Sequence, residues 1–326
     1  MKKISVKTKC LAVGIVAVII AAALFVGGMS MLDWQFAKLD STVWEAKNFA
    51  PEATELNAVS LDCDFTKVEI VSGDALSVDY EESDDTKYKV SLEDGKLDIR
   101  ETRKFSFKMF NFYTPVMKIT LPETDKLNLF FANGDCDLSD MTLTAMEIGG
   151  ANLNVSLTNV TAEEKISLTT VNGEIKLNGV NAGNIDAKTT NGKITLNKVN
   201  ASESIFVYSL NGGVYSEYVN ANSAEFKTTN GKINLENVYA ESLKGKSLNG
   251  GISAHGIKSH NIDMNSTNGK IAVVVVGNRA DYRIHCNSTN GSSNESDKTD
   301  GIYSIEVRTL NGDIRITFEE EGENDD

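Results

Sequence analysis

Three histidines, His255, His260 and His285, are the only imidazoles in this 326-residue chain. None belongs to a His-Glu-x-x-His helix or another paired metal-ligand spacing. The repeat pattern set out below puts His255 and His285 at outward positions and His260 in a connecting turn. The four cysteines, Cys10, Cys63, Cys136 and Cys286, contain no CxxC pair, which argues against a zinc ribbon or a thioredoxin-type centre. Cys136 and Cys286 occupy inward slots and read as small buried hydrophobes; a Cys63–Cys136 disulfide stays open. "GKS" at 245–247 imitates a phosphate loop, but the upstream glycine such a loop needs is Ala240. "GDCDLSD" offers Asp135, Asp137 and Asp140 without the glycine and terminal glutamate of a calcium loop. No catalytic residue, metal or cofactor is expected.

The outward slots hold a better binding candidate. Phe206, Tyr208, Tyr215 and Tyr218 fall within one repeat. Exposed rings can stack on sugars or anchor a protein partner. The same rings can also stabilise a sheet surface by cross-strand pairing.

These residues are positioned by a repeat. Asn-Gly recurs at 133, 172, 191, 211, 230, 249, 268, 290 and 311, with steps of 19 or 20 residues from 172 to 268. Apolar residues stand six and four positions before most of these Asn, and three, five and eight after most of them, with Gly245 and Ser216 as departures and the second strand lost after Asn290. Alternation on both sides means two short strands per copy, each with one buried face. Asn-Gly between alternating strands is ordinarily a hairpin signal. The apolar residue at the eighth position breaks the parity, so each copy turns a second corner. Every slot also keeps its residue type from copy to copy, which favours stacking each slot on its own image. The expected fold is an all-β, single-chain parallel β-solenoid (β-helix) with rungs of 19–20 residues. Its corners would be Asn172-Gly173, Asn191-Gly192, Asn211-Gly212, Asn230-Gly231, Asn249-Gly250, Asn268-Gly269 and Asn311-Gly312. The asparagines would form an amide ladder, and the glycines would take a left-handed backbone conformation. "GGANLNV" at 149–155 reads as a degenerate copy, and "NGSSNESDKTDG" at 290–301 as an exposed loop.

Around the repeats the chain divides further. Residues 1–9 form a lysine-bearing cytosolic stub, and residues 10–32 carry no charge. Those 23 residues would span about 35 Å as a helix, enough for one N-terminal transmembrane helix. The lysines before it should stay inside, with the C-terminal domain extracellular. A cleavable signal peptide is the competing reading. Residues 33–55 read as a juxtamembrane linker, 56–130 as an N-terminal β cap and first rungs, 131–318 as solenoid repeats, and 319–326 as an acidic disordered tail. "YKVSLEDGKLDIRE" keeps the repeat logic around Asp94-Gly95, and "FSFKMFNFYTPVM" at 105–117 is a candidate cover for the first rung. Beyond residue 32 the chain holds 28 basic and 46 acidic residues. Such a body repels phosphate backbones, so no nucleic-acid partner is expected.

"VMKITLPETDKLNLFFANGDCDLSDM", followed by repeated "TTNGKI", resembles the adhesin-like β-strand-repeat family of bacterial cell-envelope proteins, a domain of unknown function. The resemblance covers roughly residues 56–318. It implies a β-solenoid on the outer face of a bacterial membrane, with a role in adhesion or envelope sensing, and it supplies no catalytic residue. The expected function is therefore a membrane-anchored, non-enzymatic binding or structural module. Its partners would be the membrane and a cell-wall polymer, glycan or surface protein. One alternative is an envelope-stress or signalling component working through a membrane partner. Another is a polysaccharide-active β-helix enzyme, against which the short, uniform rungs argue, because a catalytic cleft needs long loops to wall it.

Overall fold

The computed structural model describes residues 20–31, 33–34, 42–52, 56–104, 113–122 and 124–320. Residues 20–31 are helical. Among the described residues no helix is long and apolar enough to cross a membrane. The stub at 1–9, much of the expected anchor at 10–32, most of the 105–117 segment and the tail beyond 320 lie outside the described residues.

The N-terminal region is an antiparallel assembly fused to a parallel coil. It comprises β1 (Glu45–Phe49), β2 (Ala58–Ser72), β3 (Ser77–Glu82), β4 (Thr86–Glu93), β5 (Lys96–Arg103) and β6 (Val116–Leu121). β1 falls within the segment read as a linker and pairs antiparallel with β3, which also pairs antiparallel with β6. β4 and β5 form a hairpin in which Glu93 faces Lys96. Asp94 and Gly95 at its tip both have positive φ, 49° and 72°, the signature of a two-residue primed turn. Asp94-Gly95 is thus a true hairpin and not a solenoid corner. β5 and β6 then lie parallel on successive halves of β2, giving the coil a covered first edge.

The coil follows in β7 (Lys126–Thr170), β8 (Ile175–Asn178), β9 (Asn181–Thr189), β10 (Ile194–Ser209), β11 (Val214–Thr228), β12 (Ile233–Ser247) and β13 (Ile252–Ser266). Like residues stack in parallel register: Ile194 on Val214, Val214 on Ile233, Ile233 on Ile252. An antiparallel meander is excluded here. Each rung makes three short faces around the buried apolar column that the alternation predicted.

The asparagine ladder is present. Each side-chain amide donates to the amide oxygen of the asparagine one rung away, through Asn133, Asn152, Asn172, Asn191, Asn211, Asn230, Asn249 and Asn268, at 2.5–2.9 Å. Asn152 confirms the degenerate copy. The glycines behave differently from expectation. Gly173, Gly192, Gly212, Gly231, Gly250, Gly269 and Gly312 are not among the residues with left-handed φ. What excludes a side chain is close stacking: a Cβ on Gly192 would lie 1.7 Å from the Gly173 carbonyl oxygen, and one on Gly231 2.0 Å from that of Gly212.

The left-handed seat lies instead seven residues after each Asn, at Asp140, Asn159, Gly179, Lys198, Tyr218, Asn237 and Gly256. This is the second corner. Lys198, at φ 53°, carries the penalty of a Cβ in that region, about 1–2 kcal/mol. Lys198→Gly is therefore expected to raise stability by up to about 1 kcal/mol after the entropic cost of glycine. Gly256→Ala should lower it, since its Cβ would meet the Asn237 side-chain oxygen at 2.5 Å. Chemical-denaturation midpoints check both signs.

A second ladder runs inside the corner. Two residues before Asn191, Asn211, Asn230 and Asn249 stands a largely buried hydroxyl, which accepts from the next glycine N–H and donates to the glycine carbonyl of the preceding rung. Thr228 accepts from Gly231 N at 3.0 Å and donates to Gly212 O at 2.9 Å; Ser209 and Ser247 do the same. Thr228→Val keeps the shape and strands both backbone groups. The expected loss is about 1–3 kcal/mol, read by urea denaturation, with Thr228→Ser close to the parent.

The last strands stack out of chain order. They are β14 (Ile271–Val276), β15 (Tyr282–Ser288), β16 (Tyr303–Thr309) and β17 (Ile314–Glu319). β16 and β17 lie directly on β13 and β14, and β15 lies on the far side of β16. The ladder accordingly runs from Asn268 to Asn311 and only then to Asn290. The segment read as an exposed loop bridges these layers. Ile284 and Lys298 form an antiparallel bridge across the outermost strand, and the Lys298 ammonium donates to the carbonyls of Ala280, Tyr282 and Asp300.

Candidate functional site

The aromatic rung does not converge. Phe206 and Tyr208 lie on the third face of their rung, in register with Glu225 and Lys227. Tyr215 lies beyond the Asn211 corner on the first face of the next rung, in register with Thr195 and Asn234. Tyr218 sits at the left-handed corner. Lysines of neighbouring strands and corners approach three of the rings: Lys188 over Phe206 at 5.2 Å, Lys227 over Tyr208 at 5.5 Å and Lys193 over Tyr215 at 4.5 Å. These contacts are lateral surface pairing.

The other residues singled out in the sequence also have local partners. Asn154 and Asn159 donate to Asp135 and Asp140, and Lys67 pairs with Asp137 at 3.5 Å. His255 lies 3.6 Å from Glu319, and His285 3.1 Å from Asp297. Cys63, Cys136 and Cys286 are free thiols. Burial pushes the Cys63 and Cys136 thiols far up, the environment of inert packing cysteines. Among the described residues no group of three His, Cys, Asp or Glu side chains could hold a metal ion.

A cavity forms elsewhere, where the regular rung fails. In β7–β13 the left-handed residue turns the chain onto the second face. The equivalent position in β14 is Val275, and there the strand runs straight on, with a register shift against β13 between Ala254 and Ile257. β17 follows β14 along its whole length. The second face therefore stops at the layer of Lys258–His260. The missing layers leave a notch of about 400 Å³, with Ala221, Ala240 and Ser259 in its lining and Gly277, Asn278 and Asp281 of the departing chain also bordering it.

The notch brings together groups that no motif had joined. His260 is not in a turn. It lies within β13, its ring stacked on Tyr303 at 4.1 Å and 10°, and its Nδ1 meets the Glu241 carboxylate. Tyr303 packs against Tyr282 at 5.4 Å, and the Tyr282 hydroxyl donates to the Ser259 carbonyl at 3.1 Å. Burial pushes the Tyr282 phenol up, so it stays a neutral donor. Tyr239 is 40% exposed at the rim, with the Lys258 ammonium 5.4 Å from its ring. The Ser259 hydroxyl donates to the Asn261 carbonyl at 3.0 Å, with the Glu241 carbonyl 3.4 Å away as the alternative acceptor. One sequence signal could have found the site. Asn181, Asn200 and Asn220 occupy the ninth position after their corners, and Asn200 donates to Asn181. Tyr239 and Lys258 break that column.

Stacked parallel rungs with cross-rung amide and hydroxyl ladders define an all-β repeat protein of the solenoid class. The chain belongs to the Toastrack DUF4097 family, whose sequence pattern matches residues 56–205 and 182–326. No curated protein matches it. Among solved structures it is similar to a "putative adhesin" from Parabacteroides distasonis ATCC 8503, at 13% identity over 85% of this chain and 98% of that one, TM-score 0.45. It is also similar to a "putative adhesin" from Bacteroides fragilis NCTC 9343, at 13% identity over 84% and 97%, TM-score 0.35. A "putative lipid binding protein" from Parabacteroides distasonis ATCC 8503 matches at 13% identity over 86% and 97%, TM-score 0.28.

Proposed function

We propose that this chain is a non-enzymatic binding and structural module, an adhesin-like rod tethered by residues 10–32 to the bacterial cell membrane, with its C-terminal domain extracellular. The rod would hold a repetitive partner, a cell-wall polymer or glycan, along one corner. The observation that carries this reading is the column one residue before each corner Asn from Asn172 onward. In spatial order it reads Val171, Thr190, Leu210, Thr229, Leu248, Thr267, Leu310 and Thr289. Backbone bonds between successive rungs set that order, including Leu310 N to Ser266 O and Thr289 N to Thr309 O. Val171, Leu248 and Leu310 are each close to half exposed. In chain order Thr267 and Thr289 would be neighbours; the exchanged final rungs restore strict alternation. Lys193, Lys232 and Lys270 repeat on the threonine rungs, three positions further on.

The result is a ridge whose unit is two rungs, about 9.5 Å. Many weak contacts to a polymer of matching repeat would add as avidity. Cells displaying the full chain should bind purified wall polysaccharide. The triple variant Leu210→Ser, Leu248→Ser, Leu310→Ser should lose at least tenfold, and each single variant much less. Unchanged binding by the triple variant defeats the ridge. Protease shaving of intact cells that spares a C-terminal tag defeats the extracellular placement.

A further inference from the structure

We propose that the notch between Tyr239 and Tyr303 is a saccharide-binding site that takes one neutral hexopyranose unit, the end or branch of a glycan. The proposal deepens the reading of the chain as a glycan or wall-polymer binder and rests on it. The argument starts from size. About 400 Å³ lies at the small end of ligand pockets and suits a single sugar ring, not an extended chain.

Chemistry narrows the ligand further. A pyranose has a C–H face and an edge of hydroxyls that both donate and accept. The notch offers the matching set. Tyr239 presents ring surface at the rim, and the stacked His260–Tyr303 pair presents another flat wall. Glu241 and Asp281 accept, the Lys258 ammonium donates, and the Asn220 amide does both. Two carboxylates with a single lysine disfavour phosphate or a uronic acid. An extended peptide adding to the open edge of β13 is disfavoured too, because the Ser259 carbonyl on that edge is taken by the Tyr282 hydroxyl. The Glu241 contact fixes the orientation of the His260 ring, and Tyr282 braces Tyr303 from behind. The flat wall is therefore held in place before any ligand arrives.

The site is separate from the corner ridge, so the two readings fail separately. The test is a titration of the full chain with methyl β-glucopyranoside, methyl β-galactopyranoside and methyl N-acetyl-β-glucosaminide, followed by saturation-transfer NMR. At least one should bind in the millimolar range. Tyr239→Ala and Glu241→Gln should each weaken that binding tenfold or more, while Tyr208→Ala on a different face leaves it unchanged. Unshifted melting temperatures of both notch variants would exclude unfolding as the cause. No binding by any of the three glycosides, or binding that survives both notch variants, overturns the proposal. Because the ridge lies elsewhere, loss of glycoside binding in both notch variants with polysaccharide capture by displayed cells unchanged supports the notch and leaves the rod reading intact.

Discussion

Gly250→Ala will cost on the order of 3 kcal/mol, a large value for one methyl group. A Cβ at this position would lie 1.7 Å from the Gly231 carbonyl oxygen and 2.5 Å from its carbon. Both atoms are backbone, held by the Asn ladder outside and the Ser247 hydroxyl inside. No rotamer relieves the clash, so two rungs must separate. Each rung of a solenoid rests on its neighbours, and the damage should be local. Hydrogen exchange should show protection falling across Ile233–Ser266 and much less across β2. Gly213→Ala is the control: the nearest atoms to its Cβ would belong to the Tyr215 side chain, at 2.7 Å, and that side chain can swing aside. Equal losses in the two variants would show that corner stacking is not the cause.

Phe226→Ala comes next, with an expected loss of about 3–5 kcal/mol. Among the described residues Phe226 is the largest fully buried side chain. In its column it stacks between Val207 and Gly245, and Gly245 stacks on Met264. The space a side chain would take at 245 is filled from the Met264 side, since a Cβ there would lie 2.5 Å from the Met264 sulfur. The column thus holds its volume by setting large groups on either side of the one absent side chain, at close to the density of any protein interior. Gly245→Leu alone should overpack and destabilise. Combined with Phe226→Ala it should recover about 1 kcal/mol or more, a coupling that a double-mutant cycle reads directly. Additive losses would mean that the two positions do not share space.

How much of this could be read in advance follows from which forces act at each position. Stacking of like on like was legible because parallel register repeats every slot, and the asparagines announce it nine times. The hydroxyl two places earlier repeats from residue 170 onward in "TTNG" and "SLNG", but a buried Thr or Ser in a strand has no unique partner in sequence. The left-handed seat was misplaced because Gly usually marks it. Here Asp, Asn, Lys, Tyr and Gly share that seat, and the corner glycines answer to crowding. The site was hidden for a different reason. Tyr239, Glu241, His260 and Tyr303 come together only because β14 runs straight and the final rungs change places. The steps from Asn268 to Asn290 and on to Asn311, 22 and 21 residues, depart little from the regular 19 or 20. Only the adjacent threonines at 267 and 289 hinted at the exchange.

The exchanged order also dictates when the rod can be finished. An ordinary solenoid grows ply by ply as it leaves the ribosome, each new turn landing on the last. Here the outermost ply is synthesised before the one beneath it. β15 has nothing to rest on until residues 303–319 have emerged and slipped into place, so the terminal bookend closes as a late, all-at-once event. Losing β16, which lies between β13 and β15, would hollow out a layer from within and not merely shorten the stack.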